Sequence, residues 1–354
     1  MKRWRQGLVV GKFCPLHRGH MLLIEAALDA CDEVLIVSYT KPEFEDCAPP
    51  LRERWLAELY PQARRLVIDD ARLIAECARR GIAPLMAVPA NDAPDAVQRA
   101  FTAWLCAALA GVVVDAVFTS EAYGDGFAAA LSAFQAKHVG HDAAVTHVCV
   151  DQARTRVPVS GTRVRGDPYA WRGFLDPRVY ADFVDRICIL GGESSGKTTL
   201  VQALAAALDT ISVPEFGRQH WEDRGGQFVF DDMRIIAEKQ VALETALARQ
   251  ARRWLVCDGS ALTTVFYSQD GYGRVDPGVA ALGQRRYAFT FVCAPDFPFV
   301  QDGTRRDAAF RARQHRWYLA ALDAAGIDYV VLSGSVEERV RTALAALAAR
   351  SPQS

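Results

Sequence analysis

No stretch of the sequence reaches the roughly 18 consecutive apolar residues that a membrane-spanning helix needs, so no membrane association is expected. Charge of one sign is missing too. The 41 Lys and Arg stand against 42 Asp and Glu, a formal net charge of −1, which argues against a nucleic-acid coat or a polybasic membrane binder and allows a local basic patch. There is no C-x-x-C pair. The nine cysteines, at 14, 31, 47, 77, 106, 149, 188, 257 and 293, are odd in number and widely spaced, which suits neither a disulfide framework nor a zinc site and points to free thiols in a reducing cytoplasm. The basic start from Met1 to Gln6 is followed by no apolar core with a cleavage site, so it does not read as a signal peptide. Low-complexity segments are absent. What remains is ordinary globular composition, 51% hydrophobic and 23% charged over 354 residues, enough for two domains with cores of their own.

Two segments share one grammar, a short apolar strand, a glycine-bearing turn and an amphipathic helix. The first is Gly7 to Gly11, a turn to Gly19 and a helix from about His20 to Ala30; the second is Arg186 to Leu190, a turn to Gly196 and a helix from about Lys197 to Leu208. Further apolar runs follow each: Glu33–Ser38, Leu66–Ile68, Val113–Phe118 and Val145–Val150, then Ile211–Val213, Trp254–Cys257, Phe289–Cys293 and Tyr329–Leu332. Short apolar runs separated by helices are the pattern of buried parallel strands. The expected fold is α/β, with two doubly wound parallel-sheet domains over 1–184 and 185–354. Pro168, Gly173 and Pro177 punctuate the stretch before the boundary.

Gly191-Gly192-Glu193-Ser194-Ser195-Gly196-Lys197-Thr198 fits the P-loop pattern G-x-x-x-x-G-K-[ST], and Thr199 follows it. Such a turn wraps phosphates in backbone N–H groups, with Lys197 reaching the β- and γ-phosphates of ATP and the Thr198 hydroxyl on Mg²⁺. A helix N-terminus adds partial positive charge. Asp258, ending the strand Trp254–Cys257, is the expected second carboxylate, and Glu215 with Arg218 follows another strand. Asp302-Gly303-Thr304-Arg305-Arg306, then Arg311 and Arg313, reads as a basic lid over phosphates. In the first half, Lys12 to His20 holds His17 and His20 in H-x-G-H on a turn between strand and helix. Without a third ligand nearby this is no zinc site; the histidines suit donation to phosphate as charge builds at it. Ser160, Thr162 and Arg165, in Ser160-Gly161-Thr162-Arg163-Val164-Arg165, can converge on phosphate oxygens at a helix start.

G-x-F-x-P-x-H-x-G-H early and S-x-T-x-x-R late resemble the nucleotidyltransferase superfamily that transfers adenylyl groups without a covalent intermediate. With the P-loop run from Gly191 to Lys197 behind them, the chain is similar to the NadR type of bifunctional enzyme in bacterial NAD biosynthesis, from Gly7 to about Arg341. Phe118 to Gly124, Asp151 to Arg154, Glu215 to Arg218 and Asp302 to Arg305 fit as well. The resemblance implies a Rossmann-like nucleotidyltransferase joining nicotinamide mononucleotide to ATP to give NAD and pyrophosphate, then a P-loop kinase phosphorylating ribosylnicotinamide. It implies that Lys12, Phe13, His17, His20, Ser160, Thr162 and Arg165 hold ATP in the first domain, with Glu121, Tyr123, Asp151 and Arg154 near the nicotinamide nucleotide. In the second, the P-loop with Thr199, Arg305 and Arg313 would hold ATP, and Glu215, Arg218 and Asp258 the nucleoside, with Asp258 orienting or deprotonating its hydroxyl. Three departures stand out: Ser260 where the family often has a second carboxylate, no aromatic over Asn91–Val97 where it often has a Trp (Trp104 reading as core), and a first strand near Gly7 that leaves no room for the helix-turn-helix some members carry. No sequence-specific DNA binding is therefore expected, and homo-oligomerisation stays open. The competing expectations are a nucleotide-sensing regulator without turnover and an enzyme with one active site.

Overall fold

A computed structural model describes residues 2–121, 123–301 and 305–350. By packing, the chain parts into two compact units, 1–179 and 180–354. Tyr180 belongs with the second because its hydroxyl donates to the Arg252 carbonyl at 2.7 Å.

In unit 1 the strands are β1 (Trp4–Val10), β2 (Cys31–Tyr39), β3 (Arg64–Ile68), β4 (Ala116–Thr119) and β5 (Thr146–Cys149). All pair in parallel, in the order β3-β2-β1-β4-β5. The chain winds outward from β1 to β3, then returns to β4 on the other side. That reversal opens a crevice beyond the carboxyl ends of β1 and β4, where doubly wound sheets bind ligands. β4 starts later than the apolar run from Val113, because Asp115 precedes it and its carboxylate accepts from the Gln6 N–H at 2.8 Å.

In unit 2 the strands are β6 (Asp185–Gly191), β7 (Ser212–Val213), β8 (Trp254–Asp258), β9 (Phe289–Cys293) and β10 (Val330–Leu332). The order is β10-β9-β6-β8-β7, again parallel. The period of two along β6 serves both faces of the sheet. Ile187 and Ile189 pack with Leu200, Leu204 and Phe291; Cys188 and Leu190 pack with Val292, Tyr318 and Leu322. The P-loop leaves the carboxyl end of this central strand.

Candidate active sites

In unit 1, His17 is the N-cap of the helix Arg18–Ala30. Its Nδ1 accepts from the N–H groups of Gly19 (3.1 Å) and His20 (3.4 Å). His20 Nδ1 accepts in turn from the His17 N–H at 3.4 Å, and the two rings stack with centroids 3.7 Å apart. With both Nδ1 atoms accepting, each neutral ring carries its proton on Nε2 and presents an N–H donor. Burial keeps them neutral. It drives the His17 pKa down to about 4, helped by the Arg154 cation, and His20 well below the ordinary histidine value, helped by His17.

The folded pKa of these rings is depressed, so the unfolded chain binds more protons between about pH 6.5 and 4. Unit 1 therefore loses stability as pH falls through that window, by up to ~1.4 kcal/mol per pH unit for each ring. The melting temperature of unit 1 should drop between pH 7 and pH 5 by calorimetry. His17→Asn keeps the capping acceptor and removes a titrating ring, so it should drop less.

Arg165 joins the two motifs of unit 1. Its guanidinium donates to the Cys14 carbonyl at 2.5 Å and to Thr162 Oγ1 at 3.2 Å. Ser160 caps the helix Gly161–Gly166, accepting from the Arg163 N–H at 3.4 Å. Lys12, His20, Ser160, Thr162 and Arg165 thus line one cleft of about 550 Å³, and His17 lines its smaller neighbour. Phe13 is not at the cleft. It is fully buried and sits edge-on to His20 with ring centroids 5.0 Å apart, so it supports that ring. Glu121, Tyr123 and Arg154 line the cleft, and Arg154 reaches Glu121 at 3.4 Å. The Asp151 carboxylate is spent on its own turn, accepting from the N–H groups of Thr155 (2.9 Å), Arg156 (3.1 Å) and Val157 (3.0 Å). Trp104 stacks on Phe101 and packs against the core, as expected. Among the motif stretches, Ala122 lies outside the described residues.

The turn after β1 has a support that no motif announces. Arg52, fully buried, donates to the Lys12 carbonyl (3.3 Å) and Ser38 Oγ (2.9 Å) and pairs with Glu43 (2.8 Å). In sequence it is one arginine in an amphipathic helix, indistinguishable from a surface charge.

In unit 2, the Thr198 hydroxyl donates to Asp258 Oδ2 at 2.6 Å, while Asp258 Oδ1 is buried without a hydrogen-bond partner. A hydroxyl beside an orphaned buried carboxylate oxygen is a donor set for a hard cation. No cluster of three or more His, Cys, Asp or Glu among the described residues could hold a metal, so further ligands would come from phosphate and water. Lys197 Nζ lies 3.2 Å from the Gly192 carbonyl. Gly192 leaves no room for a side chain, since a Cβ there would lie 2.7 Å from the Arg311 carbonyl oxygen. Glu193 lines the cleft, accepting from the Tyr267 hydroxyl (2.9 Å) and the Arg306 N–H (2.8 Å), and its own N–H goes to Gln314 Oε1 (2.9 Å).

The arginines divide their work differently from the expected lid. Arg305 and Arg306 line the cleft. Arg311 turns under the P-loop to the carbonyls of Ser194 (3.3 Å) and Phe297 (2.8 Å). Arg313 pairs with Asp270 at 2.9 Å and does not line the cleft, and Thr199 does not line it either. Asp302, Gly303 and Thr304 lie outside the described residues. A further support is Arg339, fully buried, which donates to the carbonyls of Ser195 (2.7 Å) and Ala294 (3.0 Å) and pairs with Asp296. Removing it would leave the Ser195 carbonyl of the P-loop, the Ala294 carbonyl and the Asp296 carboxylate without this partner. Arg339→Met should therefore raise the KM for ATP in the second site several-fold and leave the first site unchanged, as steady-state kinetics would read.

Glu215 and Arg218 line the same cleft as Lys197, Thr198 and Ser260. Burial pushes the Glu215 carboxyl up, against the pull of Lys197. Ser260 caps the helix Ala261–Tyr272, accepting from the Leu262 N–H at 3.2 Å. Trp221 and Phe228 also line the cleft and were not among the expected site residues. Only the position of the helix Phe216–Asp223 brings Trp221 there.

Two turns, each at the carboxyl edge of a parallel sheet, one built on paired histidines and the other on the P-loop pattern, belong to a two-unit enzyme of nucleotide phosphate transfer. Residues 186–339 match the family model described as AAA domain. Over 315 residues the chain is 29% identical to the trifunctional NAD biosynthesis/regulator protein NadR of Escherichia coli K12, covering 84% of this chain and 71% of that protein. Identity and coverage are the same for the protein of that name from Salmonella typhimurium LT2. A crystal structure of a NadR protein in complex with NR matches 100% of this chain and 98% of its own at a TM-score of 0.71 and 17% identity. Another, in complex with NAD and AMP-PNP, matches 98% and 96% at a TM-score of 0.67, also at 17% identity. These structures share the fold. Over most of its length the chain is similar to NadR proteins.

Proposed function

We propose that the chain carries out two consecutive steps of NAD salvage. Unit 2 phosphorylates ribosylnicotinamide to nicotinamide mononucleotide with ATP. Unit 1 joins that nucleotide to a second ATP, releasing pyrophosphate and NAD. The observation that carries this reading is that each of the two turns is intact and braced in a chain similar to NadR proteins: His17 and His20 tied to Arg165 through the Cys14 turn, and the P-loop beside the Thr198–Asp258 pair.

In unit 1, a phosphate oxygen of nicotinamide mononucleotide attacks the α-phosphorus of ATP, and the bond from that phosphorus to the bridging oxygen of pyrophosphate breaks. The Nε2–H groups of His17 and His20, with Ser160, Thr162, Arg165 and Lys12, meet the negative charge that builds on the phosphates. Glu121, Tyr123 and Arg154 form the wall for the nicotinamide nucleotide. In unit 2, the ribose hydroxyl attacks the γ-phosphorus and ADP leaves. Lys197 and the N–H groups of the P-loop hold the β- and γ-phosphates. Asp258 orients the hydroxyl and takes its proton. Thr198 would hold Mg²⁺, which supplies charge neutralisation on the phosphates. Glu215 and Arg218 bind the nucleoside, and the face of Trp221 suits its cationic pyridinium ring. We place the two activities on separate domains, 1–184 and 185–354, in the cytoplasm.

Trp221→Ala should raise the KM for ribosylnicotinamide at least ten-fold, since a desolvated cation–π contact is worth about 2 kcal/mol, and leave NAD synthesis from nicotinamide mononucleotide untouched. The reading itself is tested by giving the protein ATP, Mg²⁺ and either substrate and resolving products by chromatography. NAD with pyrophosphate, and nicotinamide mononucleotide with ADP, are expected; neither product forming would favour a nucleotide sensor without turnover.

A further inference from the structure

Beyond the residues read as binding nucleotide, unit 1 carries three polar side chains in series that end at the cleft wall. Thr119 closes β4, is 4% exposed and lines the cleft. Its Oγ1 lies 2.9 Å from Nε2 of His147 on β5 and 3.1 Å from the Glu121 carbonyl, to which it donates. His147 Nδ1 lies 2.8 Å from Asp125 Oδ1, on the helix Gly124–Val139. The ring has a reserved seat: a Cβ on Gly124 would lie 1.9 Å from His147 Nε2, so a larger residue there would expel it.

Counting protons shows what the series does. The Glu121 carbonyl and the Asp125 carboxylate only accept, and the Thr119 hydroxyl has one proton to give. If that proton goes to Glu121, the ring must donate from Nε2 to Thr119 and from Nδ1 to Asp125. All three contacts hold together only with a proton on each ring nitrogen. With one proton on the ring, held by Asp125, the Thr119 proton turns to Nε2 and the Glu121 carbonyl loses its donor.

We propose that His147 is a positioning residue for adenylyl transfer. Oriented by Asp125, it acts through Thr119 to fix the turn carrying Glu121, and so shapes the wall that takes the acceptor nucleotide. It touches no reacting atom. The inference rests on reading unit 1 as the adenylyltransferase, and it assigns the acceptor side of that site a support that none of the sequence motifs contains.

The test is steady-state kinetics of the full chain with nicotinamide mononucleotide, ATP and Mg²⁺. His147→Phe and Thr119→Val should each raise the KM for nicotinamide mononucleotide about ten-fold, the worth of one half-buried hydrogen bond, with kcat and the KM for ATP within two-fold. Because both break the same series, the double variant should be no worse than the worse single one. Thr119→Ser keeps the hydroxyl and should restore the wild-type KM. If His147→Phe does not fold, the contrast between Thr119→Val and Thr119→Ser carries the same expectation. An unchanged KM in Thr119→Val, or effects that multiply in the double variant, overturns the relay while wild-type turnover keeps the reading of unit 1. A wild-type chain that makes no NAD overturns both.

Discussion

His20→Ala lowers NAD formation from nicotinamide mononucleotide and ATP by about 10²–10³ and leaves ribosylnicotinamide phosphorylation within a few-fold. The His20 ring is held by the His17 N–H, by stacking on His17 and by the edge of Phe13, so its Nε2–H is aimed before substrate arrives. A donor oriented in advance pays no reorganisation as charge develops at phosphate, which is why one such group is worth several kcal/mol in the transition state. The remaining ring cannot take its place, because His17 is fixed as the helix N-cap through its Nδ1 and its own Nε2–H cannot move to the position His20 leaves. Parallel assays of the two reactions on one preparation check this. NAD formation near the wild-type rate would remove His20 from the chemistry.

Lys197→Ala abolishes phosphorylation of ribosylnicotinamide, by at least about 10², while NAD synthesis from supplied nicotinamide mononucleotide continues. Lys197 supplies a point charge to the β- and γ-phosphates, and no core packing rests on it. The frame of the P-loop survives the change, since Arg311, Arg339 and Gln314 brace it independently of Lys197. Loss of both activities in a folded Lys197→Ala protein would mean that the two sites are coupled.

The ten strands of the described residues overlap the apolar runs from which they were expected; for the inner ones the reason is that a buried parallel strand must be apolar on both faces, and that demand shows directly in residue type. The phosphate turns were readable for a similar reason: backbone N–H groups, glycines and a few donors must sit close together in sequence. The bracing of those turns was not readable. Arg52 meets the Lys12 carbonyl 40 residues away and Arg339 meets the Ser195 carbonyl 144 residues away. Nothing local separates such an arginine from a solvated one. The same limit explains Arg313, whose place after Arg305 and Arg311 suggested phosphate binding and whose guanidinium instead meets Asp270, a residue 43 positions away. It also explains Phe13, where the motif marks an important residue and only the packing shows that it supports His20.

The central claim, that one chain runs phosphorylation and adenylyl transfer in sequence at two separate sites, is tested most directly by a time course from isotope-labelled ribosylnicotinamide with ATP and Mg²⁺. The wild-type protein should form labelled nicotinamide mononucleotide first and labelled NAD after it. The His20→Ala protein should stop at the mononucleotide, and the Lys197→Ala protein should leave the nucleoside unconverted yet still make NAD when given the mononucleotide. Labelled NAD from the nucleoside in the Lys197→Ala protein, or no mononucleotide in the His20→Ala protein, would contradict the assignment of the two reactions to these two sites.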